Sequence, residues 1–125
     1  MVELNLINRE IAYYMNQTVK GFVTENRILM AVPNEYKQNK SGLYIPSTVK
    51  EDMPRKGVVI QKYHSIDLDF MSIGDIVTYG LYAGKEIEVS FNTSEVTPNN
   101  WEDIVNYNKF VILSYNEIIF VEPNI

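Results

Sequence analysis

A single histidine, His64, and no cysteine leave this chain of 125 residues with little to hold a transition metal. A zinc site would need carboxylates grouped around that one imidazole. His64 lies in "KYHSID", just past a strand-like run, and reads as a solvated or turn-bonded side chain. Asp67 and Asp69 would share one face of an extended segment, as a carboxylate pair for acid–base work would, and Glu102-Asp103 is a second candidate. Both read better as solvated charges, the first at a turn and the second at a helix start, where the helix dipole favours carboxylates. There is no phosphate-cradling glycine loop, GxSxG elbow or HExxH. The chain is expected not to be an enzyme and to need no cofactor.

The informative residues are apolar. Gly42-Leu43-Tyr44-Ile45-Pro46 sits inside "NKSGLYIPSTVKEDMPRKG", a stretch otherwise polar and charged. Buried in a partner's groove, the three large side chains would contribute about 1.5–3 kcal/mol each, or roughly 5–8 together. Ordering a loop costs about 1–2 kcal/mol per residue, so fixing even five residues nearly cancels that gain. One such loop would bind weakly and release readily. Useful affinity would need several loops held by an oligomer, so that later contacts become intramolecular. The other reading, that Leu43 and Ile45 tuck into this chain's own core, is equally open on composition.

The surrounding elements are strands. "NRILMAVP" (26–33), "GVVIQKY" (57–63), "GDIVTYG" (74–80), "KEIEVSF" (85–91), "KFVILSY" (109–115) and "EIIFVE" (117–122) are short apolar or alternating runs bounded by Gly, Pro and Asn. About six such runs indicate an all-β fold, a small barrel or sandwich. The segment 35–56 has no strand texture, and a structureless loop of that length is usually functional or disordered. Leu4, Ile7, Ile11 and Tyr14 recur at helical spacing, so residues 1–21 read as an N-terminal extension that is either a short helix or an extended arm. Residues 22–125 form the barrel domain. "PNNWEDIVNY" suggests one or two helical turns after an Asn cap, with Trp101 as a packing anchor.

Apolar content is 46% and net charge −5, which fits a soluble globular protein and argues against nucleic acid as the main partner. Between Tyr36 and Lys56 five basic residues face two acidic ones, a net of +3, so the rest carries −8. No run is long enough to span a membrane, no secretory signal is visible, and the lack of cysteine fits a reducing cytoplasm.

In this order the segments resemble the GroES-like co-chaperonins of the chaperonin-10 family. "ENRILMAV" is similar to the family's first core strand, "SGLYIP" to its mobile-loop signature, and "RKGVVIQKY" to the strand after the loop. "IGDIVTY", "YAGKEIEV" and "FVILSYNEIIFVE" resemble the segments that complete the barrel. The resemblance implies a partly open β-barrel and a lid that closes the folding chamber of a GroEL-type chaperonin, whose ATP and magnesium drive the cycle. Leu43, Tyr44 and Ile45 would enter a groove of the chaperonin's apical domain, with Gly42 supplying the turn and Pro46 closing the motif. It also implies a homo-oligomer, a heptamer, in which the last strand of one subunit pairs with the first strand of the next. The interface would then fall on Ile28, Leu29 and Met30 and on Ile118, Ile119 and Phe120.

The departures are specific. Only "HSIDLDFMS" occupies the place of the family's roof hairpin, the segment 92–108 is longer than usual, and the N-terminal extension is extra. A trimmed roof resembles the bacteriophage-encoded co-chaperonins, which act in the host cytoplasm with a host or phage chaperonin on bulky capsid protein. A rival reading is a β-barrel module that binds a ligand or nucleic acid through aromatic strand faces. Basic residues clustered on one strand face would favour it, and the acidic body opposes it.

Overall fold

The structure is a computed structural model that describes residues 6–34, 55–80, 82–93, 98 and 100–125. Its strands are β1 (Arg27–Pro33), β2 (Arg55–Lys62), β3 (Ile76–Tyr79), β4 (Lys85–Ile87), β5 (Asn108–Ser114) and β6 (Ile118–Glu122). Two α-helices, α1 (Arg9–Thr18) and α2 (Trp101–Asn106), and two 3-10 turns, Ile66–Leu68 and Tyr115–Glu117, complete the described elements. The strands form one antiparallel sheet in the order β4-β5-β1-β2-β3-β6. This is the expected all-β architecture.

The connection between β5 and β6 curls that sheet. Only Tyr115–Glu117, one 3-10 turn, joins two strands that lie four places apart in the strand order. Four strand spacings in a flat sheet would be about 19 Å. The chain from Ser114 to Ile118 reaches at most about 14 Å. The sheet must therefore bend round on itself, and the result is an incomplete barrel with two free edges, β4 and β6.

Two apolar clusters follow from the curl. Ile28, Met30, Val32, Val59, Val77, Tyr79, Val111 and Leu113 fill the inside, where Leu68 and Met71 plug one end. Those two residues belong to the segment between β2 and β3, which has one 3-10 turn (Ile66–Leu68) and no hairpin. The Lys62 ammonium donates to the carbonyls of Leu68 (2.9 Å) and Met71 (2.6 Å), so one side chain holds this turn in place.

The second cluster lies on the outer face. Leu29 and Ala31 of β1, Val58 and Ile60 of β2 and Phe110 of β5 pack there against Ala12 and Met15 of α1. A strand that is apolar at every position needs cover on both sides, and α1 supplies it for β1 and β2. The helix starts at Asn8, whose side-chain oxygen accepts from the Ile11 N–H at 2.8 Å. Arg9 pairs with Asp75 at 3.1 Å and ties the first turn to the start of β3.

Past α1 the chain turns extended. Val19 pairs with Phe91, the Lys20 N–H donates to the Ser90 carbonyl and the Asn92 N–H to that of Thr18. That pairing shortens β4. The run 85–91 stays with β5 only as far as Ile87, and its remainder turns to residues 18–20.

Candidate functional site

The apolar pentapeptide Gly42–Pro46 lies outside the described residues; its frame does not. The chain leaves the sheet at Pro33 and Asn34 and returns at Arg55, and β1 and β2 are antiparallel neighbours. Two such strands can be joined by a two-residue turn. Twenty residues, 35–54, stand there instead, far more than the fold needs. The base of the excursion is firm. The Asn34 N–H donates to the Tyr107 carbonyl at 2.8 Å. At Gly57 the strands approach so closely that a Cβ would meet Val32 Cγ2 at 2.8 Å and Met30 Cβ at 3.2 Å.

The six expected interface residues separate into two groups. Ile28, Leu29 and Met30 are buried at 0%, 3% and 0% exposure, and β1 is hydrogen-bonded to β5 on one edge and β2 on the other. They have neither side chain nor backbone to offer a neighbour, so the expectation for them is corrected: they are core. On β6, Ile118 is partly buried against the inner cluster, whereas Ile119 and Phe120 are 62% and 58% exposed. Two adjacent exposed residues break the alternation of a strand, and a bulge is the reason. Thr78 faces Phe120 and Tyr79 faces Ile118, which leaves Ile119 as the extra residue. β6 thus presents an open backbone edge beside a groove of about 460 Å³ lined by Phe70, Tyr115, Ile119 and Phe120.

A second unpaired stretch precedes β1. Residues Gly21–Thr24 are bracketed by left-handed backbone, Gly21 at φ +92° on one side and Glu25 and Asn26 at +25° and +54° on the other. Gln61 holds this stretch from within: the Val23 N–H donates to its Oε1 at 2.8 Å, and its Nε2 donates to the Gly21 carbonyl at 2.9 Å. In an extended chain those two groups point to one side. The N–H and C=O of Phe22 point to the other, where no described residue bonds them. Phe22 itself is 91% exposed and borders a second groove, of about 500 Å³, with Thr24, Lys85, Ile87 and Ile112. Reasoning from the sequence missed both Phe22 and Gln61. The one available signal was an aromatic residue directly after Gly21 in "VKGFVTEN".

The chemical candidates stay apart. His64, Asp67, Asp69, Glu102 and Asp103 are all exposed, and Asp67 accepts a bond from Asn26 Nδ2 at 3.3 Å. Among the described residues no three His, Asp or Glu stand together as a metal-binding group. Trp101 packs edge-on against Tyr14 (5.0 Å) and Phe91 (5.3 Å) as an anchor.

The arrangement is one of edges, grooves and a long excursion, suited to binding proteins. A family model described as "Chaperonin 10 Kd subunit" matches residues 23–108. The chain belongs to the chaperonin-10 family. Proteins named Co-chaperonin GroES are its relatives. One from Coprothermobacter proteolyticus is 37% identical over 71 residues, covering 51% of this chain and 71% of the relative. One from Bacteroides thetaiotaomicron is 38% identical over 66 residues, with 51% and 72% covered. One from Citrifermentans bemidjiense is 35% identical over 75 residues, with 52% and 74% covered. The chaperonin-10 match begins at Val23, so α1 lies outside it. It is a family of co-chaperonins and not of catalysts, and no described helix is long and apolar enough to cross a membrane.

Proposed function

We propose that this chain is the lid subunit of a GroEL-type chaperonin, binding the apical domains through residues 35–54 and closing the chamber in which an unfolded client is enclosed. That is the expected segment 35–56 less Arg55 and Lys56, which belong to β2. The observation that carries this reading is the twenty-residue excursion between two strand ends that a tight turn could join. Gly42, Leu43, Tyr44, Ile45 and Pro46 are the proposed anchor within it. Binding by one anchor nearly cancels against ordering, so the lid acts as an oligomer whose anchors engage together.

The oligomer is proposed to be a ring of seven. A contact between two different surfaces of one chain is heterologous and propagates until it closes. Besides the β4 edge, this chain has two open backbone stretches: β6, beside a largely apolar groove, and Gly21–Thr24, beside a groove that mixes Phe22, Ile87 and Ile112 with Arg27, Lys85 and Glu117. The pairing of a last strand with a neighbour's first strand is retained from the sequence reading, with the first strand moved from 28–30 to 21–24. The shortened roof would leave more room for a bulky client, such as a capsid protein. A closed cavity no larger than that of an ordinary lid would contradict that detail.

The test is capture. Chaperonin on beads, with nucleotide, should retain the wild-type chain and lose it on Leu43→Asp or Ile45→Asp. Retention of both variants would remove the anchor from residues 43–45.

A further inference from the structure

We infer that Gln61 is a positioning residue for assembly: it holds Gly21–Thr24 as a preformed strand edge that receives β6 of a second copy, with Phe22 seated in the groove formed by Phe70, Tyr115 and Phe120. This rests on the ring reading above and adds the device by which one of the two edges is made.

The first observation is the direction of Gln61. Val59 faces the inner cluster, and strict alternation would send Gln61 there too, a buried amide among Met30, Val77 and Leu113. A bulge prevents this. Leu29 faces Gln61 while Met30 faces Val59, so Ile60 is the extra residue of β2 and Gln61 is turned to the outer face. There it is 8% exposed, the one polar residue among the buried positions of the described chain.

The second observation is what Gln61 touches. Its amide oxygen and nitrogen take up one donor and one acceptor two residues apart, the pattern an adjoining strand would use. Both bonds fix a single orientation of the amide. One side chain thus substitutes for a neighbouring strand on the inner side of Gly21–Thr24, while the outer side keeps the Phe22 N–H and C=O free for pairing. The segment is fixed before any partner arrives, which removes most of its ordering cost from the association step.

The third is complementarity. The described chain has a nearly fully exposed Phe22 on the clamped segment and an aromatic groove beside the free edge of β6. The two are different surfaces, whose linings meet at the Ser114–Glu117 turn, and a contact of one with the other between two copies is head-to-tail.

The test is sedimentation velocity of the full chain over a dilution series, for wild type, Gln61→Met and Phe22→Asp, with protomer folding followed by circular dichroism. Gln61→Met keeps the length of the side chain and removes both bonds. The expected result is a folded protomer whose rings dissociate at a protein concentration at least ~10-fold higher than wild type. Hydrogen exchange at the Phe22 amide, protected in the wild-type ring, should become fast in the variant. A wild-type chain that never assembles would overturn the ring reading and this inference with it. A wild-type ring alongside a Gln61→Met ring of equal stability and equal Phe22 protection would overturn this inference alone. If Gln61→Met does not fold, Phe22→Asp decides, since an exposed side chain carries little folding energy: unchanged ring stability overturns the proposal, and dissociation sustains it.

Discussion

The rings of Tyr14 and Trp101 meet edge to face at 5.0 Å, with 77° between their planes. One belongs to the N-terminal helix, the other to the helix in the long segment 92–108. Phe91 continues the stack to Trp101 at 5.3 Å and to Phe110 at 5.4 Å. The two additions to the barrel are therefore one layer on its outer face. Aromatic pairs of this kind add about 0.5–1.5 kcal/mol beyond area burial. Tyr14→Ala and Trp101→Ala should each destabilise the chain, and the double variant should lose less than the sum by about that amount, measured by urea unfolding. Strict additivity would mean that the two segments do not support each other.

Met15 is fully buried between α1 and the sheet. Met15→Ala should cost about 2–5 kcal/mol, because the rigid sheet beneath cannot collapse into the void. Differential scanning calorimetry checks this. A change below about 0.5 kcal/mol would show that α1 is dispensable cover.

Leu43→Asp and Ile45→Asp are expected to leave the melting temperature unchanged while abolishing chaperonin capture. A side chain outside the core contributes little to folding, and a carboxylate is costly in an apolar groove. A fall in melting temperature with capture intact would instead place the tripeptide in this chain's own core.

Lys62 holds the turn between β2 and β3 through two carbonyls, those of Leu68 and Met71. Lys62→Met keeps the apolar stem and removes the donors, at an expected cost of about 1–3 kcal/mol. Limited proteolysis should then cut within residues 64–72 before anywhere else in the described chain. An unchanged cleavage pattern would mean that Leu68 and Met71 hold the turn unaided.

The strands were legible because each lies in a short apolar or alternating run bounded by Gly, Pro or Asn. Four of the six expected runs contain their strand, and the runs 57–63 and 109–115 overlap β2 and β5, which start two residues and one residue earlier. Register was not. The bulges at Ile60 and Ile119 depend on partners far away in sequence, so neither the outward turn of Gln61 nor the joint exposure of Ile119 and Phe120 could be read locally. The interface assigned to Ile28–Met30 failed for a related reason. A strand apolar on both faces looks the same whether its second face meets a neighbouring subunit or, as with Leu29 here, a helix of its own chain. The helical spacing of Ile7, Ile11 and Tyr14 was present in the sequence, and Ile7 and Ile11 do pack in the outer cluster, where Ala12 and Met15, which that spacing left out, are more deeply buried. Gly42–Pro46 lie outside the described residues, so the apolar tripeptide in a polar stretch stands as a statement of composition alone.

The most direct measurement is co-sedimentation of the purified chain with a GroEL-type chaperonin, with and without ATP. The account predicts a ring of the free chain near seven subunits that travels with the chaperonin only when nucleotide is present. A monomer that ignores the chaperonin under both conditions would contradict it.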